Sequence, residues 1–441
     1  MLALTEAALD AAKSFGAEAA DAVASRSISL AVEVRLGKLE TVERSESASL
    51  GLRVLVGRQQ AAAATSDLRP QSVRDLAERV TAMAKAAPED PYCGLAPNEL
   101  LGKSTADLDL FDPSEPSAED LEQRAIATEN AAMAVAGVTN SSGAEASWGE
   151  GDGAFAASNG FRGAWRASSH SLGVSVIAAA DGAMERDYEG RGARWREDLP
   201  SPESIGKKAG ERAAAKLGSR KLDSQKINVI FDRRVSGGLI GSMLGAISGS
   251  AVARGVSFLK DKLGQQVFAS GIDIVDDPFR RRGFGARQFD GEGVMGQTRK
   301  LIDDGVLTTW LLNCAAARQL GLQTTGHASR GVGSPPGIDS NNVHLKPGDQ
   351  SPEQMMQTVK KGLYITESFG PSLNSNTGDY SAGVAGFWFE DGAIAFPVSE
   401  ITVAGNMLDI YRRLVPGSDL EFRGGVNAPS ILVEDLTLAG R

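Results

Sequence analysis

Residues 232–253 read DRRVSGGLIGSMLGAISGSAVA and follow the apolar run Ile227–Phe231. An apolar run, then Asp232, then nineteen residues (235–253) without a charge predict a strand leading into a helix. Asp232 takes the N-cap position, where a side-chain oxygen meets free backbone N–H groups. Inside the helix Gly237, Gly241 and Gly245 recur at four-residue spacing beside Gly238, Ser242 and Ala246, so one face is nearly bare backbone. Each helical glycine costs roughly 0.8–1 kcal/mol relative to alanine, so this many predict another element packed closely against the face. A membrane span is disfavoured, because five of the nineteen residues are Gly, four are Ser and only ten are apolar.

A chain of 441 residues exceeds one ordinary core, and roughly 150 residues per domain gives two or three. Hydrophobic content of 42%, charged content of 23% and 51 glycines describe a globular protein rich in turns. The net charge of −10 opposes nonspecific binding to nucleic acid or to an anionic membrane. Cys93 and Cys314 are too few for a disulfide framework or a cysteine zinc site, which suits a reducing compartment. The first fifteen residues carry Glu6, Asp10 and Lys13 through their apolar pattern, unlike a signal peptide, and predict a cytoplasmic protein.

In chain order, Leu4, Ala8, Ala12 and Phe15 mark a helix stopped at Gly16. Alternation at Ile28–Val34 and Leu50–Val56, with turns at Leu36-Gly37 and Gly57-Arg58, predicts a meander of about four antiparallel strands. Val73, Leu76, Val80, Met83 and Ala87 close the unit with a second helix. Residues 88–116 hold five of the seventeen prolines and read as a linker. The order then repeats: a helix opened by Ser117, hairpins at Asn159-Gly160 and Asp181-Gly182, and a helix opened by Ser201-Pro202. Each meander would present one exposed edge strand to which an extended peptide can pair. From Lys226 onward strands are expected at Val306–Leu312, Leu363–Ile365 and in a hairpin around Asp391-Gly392, with a helix after Ser351-Pro352. The fold class is α+β: modules 1–90 and 117–222 joined by the linker 91–116, then a larger, mostly antiparallel domain, 223–441.

Metal binding needs three or four converging N, S or O ligands, and His170, His327, His344, Cys93 and Cys314 offer no pair at helical ligand spacing. His170 and His344 read as solvated surface residues. His327, between Gly326 and Gly331, sits in a loop that presents it to a cavity or ties it to backbone. Asp379 and Tyr380 in TGDYSAG read as a polar chamber wall or as an Asp-capped turn. The run Phe279–Arg287 mixes basic and aromatic residues and reads as a solvated loop or a surface for an acidic partner. Gly149–Gly153 and Gly190–Gly192 match neither phosphate-binding pattern, so no nucleotide cofactor is implied.

The helix region, together with 257–268, TTGHA (324–328), TGDYSAGVAGFWFEDG (377–392) and FPVSEITVAGNMLDIY (396–411), resembles the TldD/PmbA family, in its PmbA (TldE) branch. In the TldD branch the equivalent helix carries a His-Glu-x-x-x-His metal motif and a Cys near the C-terminus contributes. Here the matching segments are Gly241–Ala246 and Gly424–Ala428, without His, Glu or Cys. The resemblance implies a TldD-type metallopeptidase subunit, acting on unfolded or extended polypeptide, that pairs with a PmbA/TldE subunit around a chamber. Family members are linked to microcin maturation, antitoxin turnover and gyrase modulation. This chain is expected to be that partner, with zinc held by the TldD-like subunit and no cofactor of its own. Gly241, Ser242, Gly245, His327, Asp379 and Tyr380 are its expected chamber or substrate contacts. The alternatives are an autonomous metallopeptidase, alone or as a homodimer, and a noncatalytic binding protein for nucleic acid or gyrase.

Overall fold

The computed structural model describes residues 1–440. Helix α1 (Leu2–Ser14) buries Ala8, Leu9, Ala11 and Ala12, and Gly16, at φ +94°, turns the chain into β1 (Ala19–Arg35). Strands β2 (Lys38–Val56) and β3 (Gln59–Thr65) and helix α2 (Pro70–Ala86) complete the first unit. The second unit contains α3 (Ala118–Met133), β4 (Val138–Ala157), β5 (Arg162–Ala180), β6 (Ala183–Ala193) and α4 (Pro202–Ala215). Ser117 and Asp120 form a capping box at the start of α3. Each unit has three strands, not the four expected, because the strands run to 20 residues and carry polar stretches such as 38–47 through without a turn.

The two units share one antiparallel sheet, ordered β3-β2-β1-β4-β5-β6. Its seam is the β1–β4 ladder, from Asp21↔Ala157 to Val34↔Ala144. Side chains alternate across a strand. Ala20, Ala22 and Ala24 of β1 pack with α1 and α2, while Leu30, Val32 and Val34 pack with α3 and α4. These positions share parity, so all four helices cover one face. On the other face Val23 and Phe155 meet Phe289 of the C-terminal domain.

The C-terminal domain holds β7 (Gln225–Phe231), α5 (Arg233–Ala246), α6 (Gly249–Ala253), β8 (Ile274–Asp276), β9 (Arg299–Asp303), β10 (Val306–Leu307) and α7 (Cys314–Leu320). It continues with β11 (Ala328–Ser329), β12 (Gly337–Ile338), β13 (Val343–Leu345), α8 (Pro352–Val359), β14 (Gly362–Leu373), β15 (Asp379–Glu390) and β16 (Ala393–Asn406). It ends with α9 (Met407–Arg413), β17 (Val415–Pro416), β18 (Val426–Asn427) and β19 (Ile431–Ala439). Strands β16, β15, β14, β7 and β19 follow one another, and the additional β16–β19 pairing closes them into a ring. Only β7–β14 is parallel within it. A smaller sheet, β10-β9-β8-β13-β18, stands beside it. Phe231, Leu239, Met243, Val403 and Tyr411 belong to one continuous core.

The expected strand Val306–Leu312 shrinks to two residues, and the uncharged helix breaks after Ala246. The break serves packing at Gly249, where the N–H bonds Leu311 O at 2.8 Å and a Cβ would strike Leu312. No helix among the described residues is long and apolar enough to cross a membrane.

Candidate functional site

Asp232 caps α5 by accepting from Arg234 N at 2.8 Å, as its position predicts. The first turn of α5 lies against residues 426–428: a Cβ on Gly237 would stand 3.5 Å from Val426 O, and Ser236 Oγ donates to Ala428 O at 3.4 Å. Beyond this turn the helix face is open. Nothing lies within 4 Å of a Cβ built on Gly238, Gly241 or Gly245, and Ser242 Oγ donates to Gly238 O of its own helix at 3.0 Å. Close packing of this face, expected from its glycines, is therefore wrong. The apolar residues that drive packing are Leu239, Ile240, Met243 and Leu244, which are buried in the C-terminal core. Zinc would need three or four ligand atoms here, and Gly241, Ser242 and Gly245 supply at most one engaged hydroxyl, so these residues do not fit a metal. Among the described residues no three His, Cys, Asp or Glu side chains stand close enough together to hold one.

Beside this junction lies a cavity of about 260 Å³ walled by charge. Glu421 receives Arg191, Arg233 and Arg423, Glu189 receives Arg212 and Arg423, and Asp187 receives Arg234 and Lys216. Burial, reinforced by the nearby Arg423 guanidinium, lowers the Arg191 pKa. A larger groove of about 1050 Å³ runs along the helix-free face of the N-terminal sheet, under the linker at 106–111 and the segment 286–291. Its floor is Ser25, Ser27 and Ser29 beside Gly149 and Gly151, a hydroxylated surface almost without side chains. Trp165, 41% exposed, lies across Gly153 at one end and meets Phe289 edge-on at 6.2 Å.

The other expected contacts are scattered. His327 is buried at 1% exposure, not presented to a cavity: its Nε2 meets Asp276 Oδ2 at 2.8 Å and its Nδ1 meets Thr325 Oγ1 at 2.8 Å. This Thr–His–Asp chain has the order of a nucleophilic triad, but Thr325 Oγ1 already accepts from Leu312 N at 2.7 Å and the group is sealed from solvent. Burial works against the Asp276 carboxylate, yet bonds from His327 and Asn341 hold its pKa below the usual range. Asp379 and Tyr380 do not share a wall. Asp379 is exposed and accepts from Thr377 Oγ1 at 2.7 Å and Asn406 Nδ2 at 3.1 Å, whereas Tyr380 points into the core. Strand alternation sends neighbours to opposite faces.

His170 is also not solvated: it is 3% exposed and 3.1 Å from Asp112. His344 is half-buried against Phe422. The basic run finds its acids inside the chain. Arg282 binds Asp109, Glu197 and Asp198, and Arg281 binds Asp107 and Asp109. Sequence reasoning missed the buried Asp21, which receives Arg53 at 2.5 Å and Arg330 at 2.9 Å and joins the N-terminal sheet to the C-terminal domain. It also missed Asp290 and Glu292, whose burial raises both pKa values. The signal was DGEG at 290–293, two acids among turn glycines.

Family profiles for PmbA/TldA metallopeptidase domain 1, central domain and C-terminal domain match residues 20–84, 111–217 and 224–440. Metalloprotease PmbA of Escherichia coli O157:H7 is 38% identical over 435 residues, covering 98% of this chain and 94% of its own. A PmbA homolog of Haemophilus influenzae is 33% identical over 436 residues, covering 98% and 94%. Among solved structures, a protein named as a modulator of DNA gyrase from Bacteroides thetaiotaomicron aligns with a TM-score of 0.92 at 27% identity, covering 100% of this chain and 98% of that one. TldE of Thermococcus kodakarensis has the same fold, with a TM-score of 0.85 at 18% identity over 99% and 100%. Three profiles matched in order, and a relative at 38% identity along nearly the whole length, place the chain in the PmbA/TldD metallopeptidase family.

Proposed function

We propose that this chain is a PmbA/TldE-type subunit that builds the chamber wall and holds extended polypeptide, while a TldD-like partner carries the zinc and performs hydrolysis. The observation that supports this is the junction of α5 with residues 426–428. There the first turn of α5 meets residues 426–428 through Gly237 and Ser236, and the segments matched to the ligand regions of the TldD branch, Gly241–Ala246 and Gly424–Ala428, supply no His, Glu or Cys to hold a metal. The serine and glycine floor of the large groove suits unfolded chain, because it admits substrate side chains of many sizes. The purified chain should contain no stoichiometric zinc and hydrolyse no peptide, and a TldD-type protein should restore hydrolysis and co-purify with it. Stoichiometric zinc together with hydrolysis by this chain alone would overturn the proposal in favour of an autonomous peptidase.

A further inference from the structure

The cavity beside the α5 junction carries more positive charge than its own acids balance. Its charged lining is Glu189, Arg233, Arg234, Glu421 and Arg423. Arginines outside this lining already engage both acids: Arg212 of α4 binds Glu189, and Arg191 of β6 binds Glu421. Arg423 then adds to both, at 3.3 Å from Glu189 and 2.8 Å from Glu421, and Arg233 adds to Glu421 at 3.3 Å. Four guanidinium groups thus share two carboxylates. Arg234 does not relieve the excess, since it shares Asp187 with Lys216, which also takes Glu367. Two further acids border the cluster and serve other donors. Asp232 accepts from Arg234 N and from the Tyr364 hydroxyl, and Asp419 accepts from the N–H and the hydroxyl of Ser430. Burial, with the charges of Arg423, Arg233 and Arg212, lowers the Arg191 pKa in spite of Glu189, the direction that surplus positive charge requires. Charges held out of water are ordinarily paired one to one, so this cluster has a vacancy for an anion.

We propose that the cavity binds a carboxylate of an extended polypeptide between Arg233 and Arg423. This assignment rests on the reading of the chain as a subunit that holds polypeptide. A guanidinium offers parallel N–H groups in a fork that matches a carboxylate, and surplus arginines satisfy it without losing their own acids. Access is open, because the Arg233 and Arg423 side chains are 33% and 22% exposed. The wall between them is bare, since Gly424 also lines the cavity and a Cβ built on it meets nothing within 4 Å. Gly237 lines the cavity too, so a carboxylate held there anchors a chain at the start of the open face of α5.

Isothermal titration calorimetry of the full chain with acetyl-tetraalanine tests this. The free acid should bind at least about tenfold more tightly than its C-terminal amide. The amide of acetyl-Ala-Ala-Glu-Ala separates the two sources of carboxylate: affinity equal to the free acid means that acidic side chains enter, and affinity equal to the plain amide means that only a chain end does. Arg233→Gln should cut the preference for acid to less than about threefold, and Arg233→Lys, which keeps the charge, should retain most of it. Glu421→Gln removes a competing acid and should tighten binding of the free acid several-fold, a gain that a purely structural ion-pair network does not give. Absence of binding by the free acid, equal affinity for acid and amide, a preference that survives Arg233→Gln, weaker binding by Glu421→Gln, or inorganic phosphate binding more tightly than the free acid would each overturn the carboxylate site. Zinc content and hydrolysis by the chain alone decide the proposed function separately, and neither outcome changes the comparison of acid with amide.

Discussion

Gly206 and Gly210 of α4 have the same four-residue spacing as the glycines of α5, and the opposite role. A Cβ on Gly206 would enter the contact sphere of Thr128 O, and one on Gly210 would press on Ala132 O and Val135, so α3 and α4 meet backbone to backbone. On α5 that space is empty at Gly241 and Gly245. Gly241→Ala should therefore raise stability by about 0.5–1 kcal/mol, the helix cost of glycine, whereas Gly206→Leu should lose roughly 1–3 kcal/mol to overpacking. Urea midpoints of the two variants check this, and a destabilised Gly241→Ala would mean that the face is filled. His170 makes a second case. Burial above all lowers its pKa from the usual 6.5, against the pull of Asp112 and with help from Arg196. The unfolded chain then binds the proton first, so stability falls as pH drops below about 6.5. Asp112 has a lowered pKa, and its contribution is lost only at more acidic pH. The urea midpoint should fall between about pH 7.5 and 5.5 more steeply for the wild type than for His170→Asn; equal slopes would remove His170 as the source.

At the scale of elements, the segment 91–116 has little regular structure yet is held along its length. Leu110 O accepts from Ser168 N at 2.9 Å at the edge of β5, and Leu108 O accepts from Arg282 N at 2.8 Å. Arg282 also holds Asp109 at 2.7 Å and lies over the Trp195 ring, whose Nε1 donates to Asp109 O at 2.9 Å. Hydrogen bonding to Asp109, then to Glu197, raises the Arg282 pKa far above the ordinary arginine value. Arg282→Ala should increase chymotryptic cleavage at Leu108–Phe111 several-fold, while the urea midpoint stays close to that of the wild type, because the pairs it breaks are partly exposed. An unchanged cleavage rate would show that the backbone bonds alone fix the segment.

At the scale of the molecule, the buried Asp21–Arg53–Arg330 group couples the N-terminal sheet to the C-terminal domain. Asp21 is 0% exposed and its two arginine side chains are almost fully buried. Asp21→Ala leaves two guanidinium groups without their shared carboxylate inside the protein, which should cost about 3–5 kcal/mol. Calorimetry should then resolve separate melting of the two regions where the wild type melts as one. A single transition at the wild-type temperature would assign the coupling to the apolar contacts of Val23, Phe155 and Phe289 instead.

Local chemistry carried the elements whose signals are local. Gly16 ends α1, Ser117 with Asp120 opens α3, Asp232 caps α5, and Asp391-Gly392 turns β15 into β16, because each acts on backbone within a few residues. That Gly241–Ala246 and Gly424–Ala428 contain no His, Glu or Cys was equally legible, since a residue type needs no contact to be read. What the glycines of α5 and α4 do depended on which helix faced which, and spacing alone carries no such information. The same holds for His170 and His327, read as loop or surface residues until segments far away in sequence, the linker and β8, closed over them and supplied Asp112 and Asp276. The union of two meanders into one sheet is a long-range event as well: β1 and β4 are over a hundred residues apart, and only the assembled tertiary structure brings Asp21 opposite Ala157.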